Sequence, residues 1–387
     1  MMSAPGNGRG SFLWGRNTGV AMEQVRVGVV GCGIGAWHVE GYAEEPRAKV
    51  VALAGLDTDR CLRLAKQHDI PHVVGDYQEL LEKVEVDAIS IAVPNHLHVP
   101  IGLAAVRAGK HVLIEKPLAR NAVEGEELVK AAKEAGVVLA IAFNRRARSD
   151  MQVLRRHIDD GGLGDVYYAK AYWMRRAGIP GLGTWFTSKE EAGGGPLIDL
   201  GVHVLDMALW LMDNPAVVSV SAATYAKLGP QGKGNYAGNR FKAVGGMPYE
   251  VEDLATAFLR TAAGATIQLE TSWAAYTGVT DEFGVSLFGE KGGAELHVKD
   301  YAEVGTLKLF ADMGGAPTDS APRLRPKPVH AGHSEVIRRF IDSILTGAPM
   351  SPSGEEGLDR TRLIDAIYRS AELGREVRLD EPVAGIR

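Results

Sequence analysis

Two short segments of this chain carry side chains that can bind an oxygen atom and move a proton. In the first, 111–117, an apolar run ends in Glu115, Lys116 and Pro117. A lysine at the mouth of a parallel sheet, stiffened by the proline that follows it, can polarise a substrate oxygen. The alternative is a surface ion pair between the glutamate and the lysine, and position alone leaves both interpretations open.

The second segment is 191–206, where three glycines and a proline precede an apolar run that contains Asp199 and His203. Proline just inside the start is typical of a helix N-terminus, and residues four apart share one helix face. The other positions are almost all apolar, so we predict a buried helix whose two polar groups point into a cavity. There a histidine can take a proton near neutral pH, and a neighbouring carboxylate can orient it.

Two other interpretations of this second segment stay open. His203 can be a core histidine whose hydrogen bonds are satisfied within the fold. Asp199, His203 and Asp206 can also form a metal site, but no other cluster of histidine or glutamate with matching spacing supports it. We therefore predict no metal ion and assign Lys116, Asp199 and His203 as catalytic residues.

The elements that must position these groups begin at 25–36, where a valine-rich strand passes into clustered glycines and then a helix. In a dinucleotide-binding βαβ unit the first glycine makes the turn, the second lets the backbone approach a pyrophosphate, and a small third residue allows close helix packing. Amide groups at the helix start then face the phosphates. The predicted cofactor-binding residues are Gly31, Gly33, Ile34 and Gly35, with Gly35 or Ala36 in the third role.

A second apolar run, 50–56, ends at Asp57, where this motif expects an acid that binds the adenosine ribose. Asp57 is also a favoured helix N-cap, because a helical stretch begins directly after it, and both roles can hold together. A carboxylate repels the 2′-phosphate of NADP, so we predict NAD as the cofactor.

Length and composition limit the kind of protein. The 387 residues exceed what one hydrophobic core usually fills, which favours two domains. A net charge of −5 gives no electrostatic case for nucleic acid, and no long apolar run indicates a membrane span. Cys32 and Cys61 are the only cysteines and suggest neither a disulfide scaffold nor a zinc cluster, so we predict a cytoplasmic location.

Strand and helix patterns alternate from about 25 to 143. Such alternation predicts an α/β domain with a parallel sheet, helices on both faces and a ligand at the carboxyl ends of the strands. The later chain predicts an α+β domain on a large, mostly antiparallel or mixed open sheet. We therefore expect a disordered extension (1–22), a dinucleotide-binding domain (23–144) and a domain for substrate binding and oligomerisation (145–387).

Taken together, these motifs resemble the Gfo/Idh/MocA family, named after glucose-fructose oxidoreductase, inositol dehydrogenase and a rhizopine-catabolism protein. The similarity runs from about Val25 to Leu379 and includes, besides the glycine turn, the segments 94–98, 109–118, 143–146 and 193–206. It implies a Rossmann domain, an α/β domain whose open sheet often forms a subunit interface, and a catalytic group of Lys116, Asp199 and His203. It also implies a cis bond between Lys116 and Pro117.

From this resemblance we expect hydride transfer between a secondary alcohol of a sugar or cyclitol and the nicotinamide. His203 would take the hydroxyl proton, Asp199 would orient that imidazole, and Lys116 would stabilise the developing alkoxide. The remaining predicted cofactor contacts are Pro94, Asn95, His98, Glu115 and Lys116. The predicted substrate contacts are Asn95, Lys116, Arg145, Trp185, Asp199 and His203.

Two loops leave their role open. Trp185, at the end of the loop 178–185, can stack on the apolar face of a sugar ring or pack as an ordinary aromatic residue. The glycine-rich stretch 229–246 contains basic residues and no acid, so it is either a basic lid over the site or a solvated loop.

Other functions also fit this sequence. A redox-neutral glycosidase or epimerase would oxidise and later reduce its substrate on a tightly held NAD. A non-catalytic dinucleotide-binding protein would use the fold to bind a partner, but the presence of Lys116, Asp199 and His203 argues against it. We also expect a homodimer or homotetramer, because the strands after residue 216 supply more sheet than the helices there can cover.

Overall fold

The computed structural model describes residues 24–235, 248–328 and 330–381. The extension expected at 1–22 and most of the glycine-rich stretch, 236–246, lie outside the described residues.

The first domain is a parallel sheet of six strands with helices on both faces. The strands are β1 (Val25–Val30), β2 (Ala48–Ala54), β3 (His72–Val74), β4 (Ala88–Ile91), β5 (His111–Ile114) and β6 (Leu139–Ile141). The helices are α1 (Gly35–Ala43), α2 (Thr58–Gln67), α3 (Tyr77–Lys83), α4 (His98–Arg107) and α5 (Ala122–Ala135). The strand order is β3-β2-β1-β4-β5-β6 with every pair parallel. The direction of winding changes between β1 and β4, so a ligand crevice is expected at their carboxyl ends.

The second domain is built on a sheet of nine strands. The strands are β7 (Val166–Arg175), β8 (Val217–Tyr225), β9 (Leu254–Thr261), β10 (Thr266–Ser272), β11 (Asp281–Gly289), β12 (Gly293–Lys299), β13 (Leu307–Met313), β14 (Ala316–Ser320) and β15 (Val377–Arg378). The helices are α6 (Ser149–Asp159), α7 (Lys189–Ala192), α8 (Val202–Leu211), α9 (Ala331–Thr346) and α10 (Gly354–Leu373).

The order of this second sheet is β14-β13-β12-β11-β7-β10-β9-β8-β15. Within this second sheet, β7 and β10 are the one parallel pair among the described strands. This confirms the predicted mixed, mostly antiparallel sheet. Strands β3 and β15 have only three and two residues, too few for a visible alternation in the sequence.

The stretch that carries Asp199 and His203 starts with one π-helical turn, Leu197–Gly201, and continues as α8. The longer helical stretch Lys189–Leu211 is apolar enough by its mean hydropathy of 1.2 to cross a membrane, but 89% of its most apolar window is buried inside the structure. It packs against β7, β10 and α10 and is thus a core element of the second domain.

The last two long helices return to the first domain. Helix α9 packs on α1, and α10 packs on α5. Ile337 and Phe340 of α9 share one hydrophobic cluster with Val39 and Tyr42 of α1. This packing brings the start of α9, with His333, to the carboxyl edge of the parallel sheet.

The two cysteines form a disulfide, contrary to our prediction. Cys32 lies in the glycine turn, Cys61 lies in α2, and their Cα atoms are 5.7 Å apart. The residues are separated by 29 positions, but β1 and β2 are adjacent parallel strands, so the segments that follow them meet. Sequence spacing does not show this proximity. The cysteines therefore do not support the predicted cytoplasmic location, which stays a prediction.

Candidate active site at the carboxyl edge of the parallel sheet

The glycine turn has the shape that a bound pyrophosphate requires. Gly31 has a φ of +95°, and a Cβ there would lie 2.2 Å from the carbonyl oxygen of Ala92. At Gly33 a Cβ would meet nothing within 4 Å, so the space in front of the turn is open. A Cβ on Gly35 would lie 3.1 Å from Val29, so Gly35 allows the close contact between helix and strand.

The start of α1 completes this cradle. Ile34 is the N-cap residue, and it provides no side-chain cap for the helix amides. The amide of Trp37 donates to the carbonyl oxygen of Ile34 at 2.9 Å, and with no side-chain cap the helix start can bind phosphate oxygens through amides before it. Asp57 is exposed and caps α2, with Oδ1 accepting from the amide of Arg60 at 3.0 Å. An N-cap uses one carboxylate oxygen, so capping is compatible with ribose binding, and these residues fit NAD.

Lys116 and Asp199 meet although they come from different domains. The Nζ of Lys116 donates to Oδ1 of Asp199 at 2.8 Å and to its carbonyl oxygen at 3.1 Å. The indole Nε1 of Trp273 donates to Oδ2 at 2.9 Å. Burial alone would raise the pKa of Asp199, but the charges of Lys116 and Arg175 and these hydrogen bonds hold it below its usual value. The bond between Lys116 and Pro117 is cis, as the resemblance implied.

His203 is close to this pair but does not hydrogen bond to Asp199, contrary to the expected mechanism. The Asp199 oxygens bind Lys116 and Trp273, and Nδ1 of His203 is buried without a partner among the described residues. Asp199 lies in the π-helical turn and His203 in α8, and the carboxylate of Asp199 is directed to Lys116 and Trp273 instead.

His203 is neutral at neutral pH. Burial, followed by the positive charges of Lys116 and Arg145, lowers its pKa well below the ordinary value. A neutral imidazole is the form that can accept a proton from a substrate hydroxyl. The role of His203 as general base stays a prediction, and Asp199 binds Lys116 instead.

Arg145 lies among aromatic rings beside His203. Its Cζ lies 5.1 Å from the ring centre of Trp173, 5.2 Å from that of Phe283 and 5.5 Å from that of Tyr301. Trp173 also contacts the ring of His203, with centroids 5.6 Å apart. Burial lowers the pKa of Arg145 to about 10. Its Nε has no hydrogen-bond partner in the described part of the chain, so the guanidinium is available to a ligand.

Glu115 is buried between two histidines that the sequence analysis did not single out. Nε2 of His38 and Nε2 of His333 each donate to its Oε1 at 2.9 Å. The ligand atoms of these three residues lie within 4.8 Å of one another, so the group could hold a metal ion. The hydrogen bonds account for all three atoms without one.

Asn95 and His98 tie loops together rather than present free groups to a ligand. The amide nitrogen of Asn95 donates to the carbonyl oxygen of Ala192 at 2.7 Å. The ring nitrogens of His98 lie 2.7 Å from the carbonyl oxygen of Pro117 and 2.9 Å from that of Val93. Both residues thus position the loop that Pro94 begins after β4.

Asp206 is not available as a ligand for a metal site with Asp199 and His203. Its carboxylate pairs with Arg146 and, at 3.0 Å, with Arg360. All three side chains are buried, so Asp206 belongs to a salt-bridge network in the core.

Trp185 is half-buried and stacks on Phe186, which contacts Trp273 edge-on. Trp185 therefore lies at the rim of the site, and both of its interpretations remain open.

Glu252 also positions the site, and sequence analysis missed it. Its side chain is buried and accepts from the amides of Gly195 and Leu197, each at 3.0 Å, and from the hydroxyl of Tyr368 at 2.9 Å. It therefore caps the helix that carries Asp199. Neither Glu252 nor Trp273 belongs to a recognisable motif, so only the fold reveals them.

Comparison with known proteins agrees with this geometry. Residues 25–143 match the GFO_IDH_MocA model, described as an oxidoreductase family with an NAD-binding Rossmann fold, and residues 151–295 match the GFO/IDH/MocA C-terminal domain. The chain is 33% identical to D-glucoside 3-dehydrogenase of Escherichia coli, over 92% of this chain and 97% of that protein. It is 27% identical to levoglucosan dehydrogenase of Pseudarthrobacter phenanthrenivorans, over 93% of this chain and 99% of that protein.

A solved structure has the same fold along nearly the whole chain. Levoglucosan dehydrogenase in complex with NADH and L-sorbose superposes with a TM-score of 0.81, covering 93% of this chain and 100% of that one. The sequence identity of the pair is 24%, so this likeness shows the fold alone.

Proposed function

Because the chain belongs to the Gfo/Idh/MocA family of NAD-binding oxidoreductases, we propose that it oxidises a secondary alcohol on the ring of a sugar and passes the hydride to NAD. The first candidate is the 3-hydroxyl of a D-glucoside, since the relative of that activity is 33% identical over 92% of the chain. The observation that carries the proposal is the meeting of Lys116, Asp199 and His203 at the edge where the cofactor cradle opens.

The residues divide the chemistry between them. Bound NAD supplies the hydride acceptor. His203, being neutral, takes the proton from the substrate hydroxyl. The hydride leaves the carbon that bears this hydroxyl. Lys116 uses two of its three donors on Asp199 and has one left for the substrate oxygen, where negative charge develops.

Arg145 and the aromatic rings around it complete the proposed substrate contacts. The guanidinium can donate to ring hydroxyls next to the reacting carbon. Trp185 at the rim offers an apolar surface for one face of the sugar. These contacts fix the orientation of the ring, which decides which hydroxyl faces His203.

An absorbance assay tests the proposal. The protein is mixed with NAD and a methyl D-glucoside, the matching 3-deoxy glucoside, or myo-inositol, and NADH formation is followed. We expect net NADH with the glucoside and none with its 3-deoxy analogue. Oxidation of inositol in preference to the glucoside would move the substrate to the cyclitols. Conversion without net NADH would indicate the redox-neutral alternative, and no conversion of any sugar or cyclitol would contradict the proposal.

We also propose a homo-oligomer formed through the outer face of the nine-stranded sheet. Along β7, Ala169, Ala171 and Trp173 point into the core, and the alternate residues point the other way. That outer face carries Tyr168, whose ring stacks on Phe288 with centroids 5.2 Å apart. Aromatic side chains on an open sheet face favour burial against a second copy.

A further inference from the structure

One buried carboxylate at the site takes no part in the proton transfer described above. Glu115 is 8% exposed, and its Oε2 accepts from the backbone amide of Lys116 at 3.2 Å. Burial alone would raise its pKa, but the hydrogen bonds from His333 and His38 hold the pKa well below its ordinary value. Glu115 therefore carries a negative charge at neutral pH.

The two histidines that bind Glu115 contact the same carboxylate oxygen. A carboxylate can only accept, so each imidazole uses an Nε2 proton on Oε1. Nδ1 of His38 lies 2.7 Å from the hydroxyl of Ser90, so both ring nitrogens of His38 have hydrogen-bond partners. Burial lowers the pKa of His333, which favours its neutral form. The cluster of His38, Ser90, Glu115 and His333 thus contains one carboxylate and no lysine or arginine.

The nearest catalytic cation is already used elsewhere. The ammonium of Lys116 is bound to the carboxylate of Asp199, so that pair is neutral as a unit. The charge of Glu115 is consequently left to act on whatever binds at the carboxyl ends of β4 and β5. The ring that receives a hydride must reach this edge, because the substrate is held there by Lys116 and His203.

The two states of the cofactor differ in charge at that ring. The nicotinamide ring is a cation in NAD⁺ and is neutral in NADH. We propose that Glu115, held in place by His38 and His333, makes the protein bind NAD⁺ more favourably, relative to NADH, than it would without this charge. Opposite unit charges several ångströms apart in a protein attract strongly enough to change a binding constant by about tenfold. The effect loads the oxidised cofactor and favours release of the reduced one.

Binding measurements on the whole protein without any sugar test this inference. Kd values for NAD⁺ and for NADH are measured by titration calorimetry for wild type, Glu115→Gln and Glu45→Gln. Glu45 is the matched control, since it is a buried glutamate of the same domain that pairs instead with Arg47 at 2.8 Å. We expect the ratio of Kd for NAD⁺ to Kd for NADH to rise about tenfold in Glu115→Gln and to stay constant in Glu45→Gln.

A purely structural role of Glu115 would weaken both cofactors equally, and that result overturns the inference. If Glu115→Gln fails to fold, the double variant Glu115→Gln with His333→Gln replaces it, because two amides can bond to each other, and the same rise is expected. Glu115→Asp keeps the charge and should keep the ratio; a rise there would also overturn the inference. Failure of the wild type to bind either cofactor would overturn this inference and the proposed function together.

Discussion

At the scale of single residues, Lys116 and Asp199 act as one unit. The carboxylate of Asp199 is held from two sides, by the ammonium of Lys116 and by the indole of Trp273. Removing the negative charge of Asp199 removes the counter-ion of the Lys116 ammonium. His203 acts separately, since no hydrogen bond among the described residues joins it to Asp199.

This division predicts a specific pattern in double variants. Lys116→Ala should lower kcat by about two to four orders of magnitude, because the developing alkoxide loses its donor. Asp199→Asn should lower kcat less, and combining it with Lys116→Ala should add little further loss. Combined with His203→Ala, however, Asp199→Asn should multiply the loss. Steady-state kinetics on the three single and two double variants checks this, and the opposite pattern would mean that Asp199 works through His203.

Arg145 predicts a change in pH dependence. Its positive charge, after burial and Lys116, helps to keep the pKa of His203 low, whereas the negative charge of Glu115 raises that pKa. Removing a cation raises the pKa of an imidazole, and the base works only when deprotonated. Arg145→Gln should therefore move the acidic limb of the kcat/KM profile to higher pH. Arg145→Lys keeps the charge and should leave the limb in place; a limb that moves equally in both variants contradicts this role.

At the scale of elements, two turns decide where the chemistry occurs. The glycine turn after β1 brings the backbone close to β4, and the π-helical turn before α8 carries Asp199, which binds Lys116. Glu252 holds the second turn by binding the amides of Gly195 and Leu197. These contacts are local in space but join the helix to a segment more than fifty residues away.

The two glycines of the first turn should respond differently to a methyl group. Gly31→Ala forces a positive φ on alanine, which costs about 1–2 kcal/mol for the backbone alone, and it adds a clash with Ala92. The melting temperature of the Gly31→Ala variant should fall clearly below that of wild type. Gly33→Ala meets open space, so its melting temperature should match wild type while its Kd for NAD rises, because the methyl occupies the space of the phosphates. Calorimetry and titration separate the two; unchanged NAD affinity in a folded Gly33→Ala would contradict this placement of the cofactor.

At the scale of the whole molecule, the second domain combines two tasks. One face of its nine-stranded sheet packs against α8 and α10 and so supports the helix of Asp199 and His203. The opposite face carries aromatic residues such as Tyr168 and Phe288. Association through that face would rigidify the sheet, which carries Trp173 on β7 and Trp273 directly after β10.

We expect light scattering to show a homodimer or homotetramer at micromolar concentration. Tyr168→Asp places a charge on the proposed interface and should shift the protein towards monomer. Tyr276→Asp is the matched control, since Tyr276 is 81% exposed on a loop, and it should leave the assembly unchanged. A stable wild-type monomer would contradict the proposed interface.

The sequence by itself determined the features that depend on neighbours along the chain. The glycine turn, the alternation of strands and helices, and the catalytic candidates Lys116, Asp199 and His203 are visible there, because hydrophobic period, turn chemistry and residue type are local properties. The tertiary structure alone decided which of these groups meet. Lys116 and Asp199 are 83 positions apart, Glu115 and His333 are 218 apart, and Cys32 and Cys61 are 29 apart. Such contacts depend on strand order, on the return of α9 to the first domain and on one π-helical turn, none of which leaves a periodic signal in the sequence.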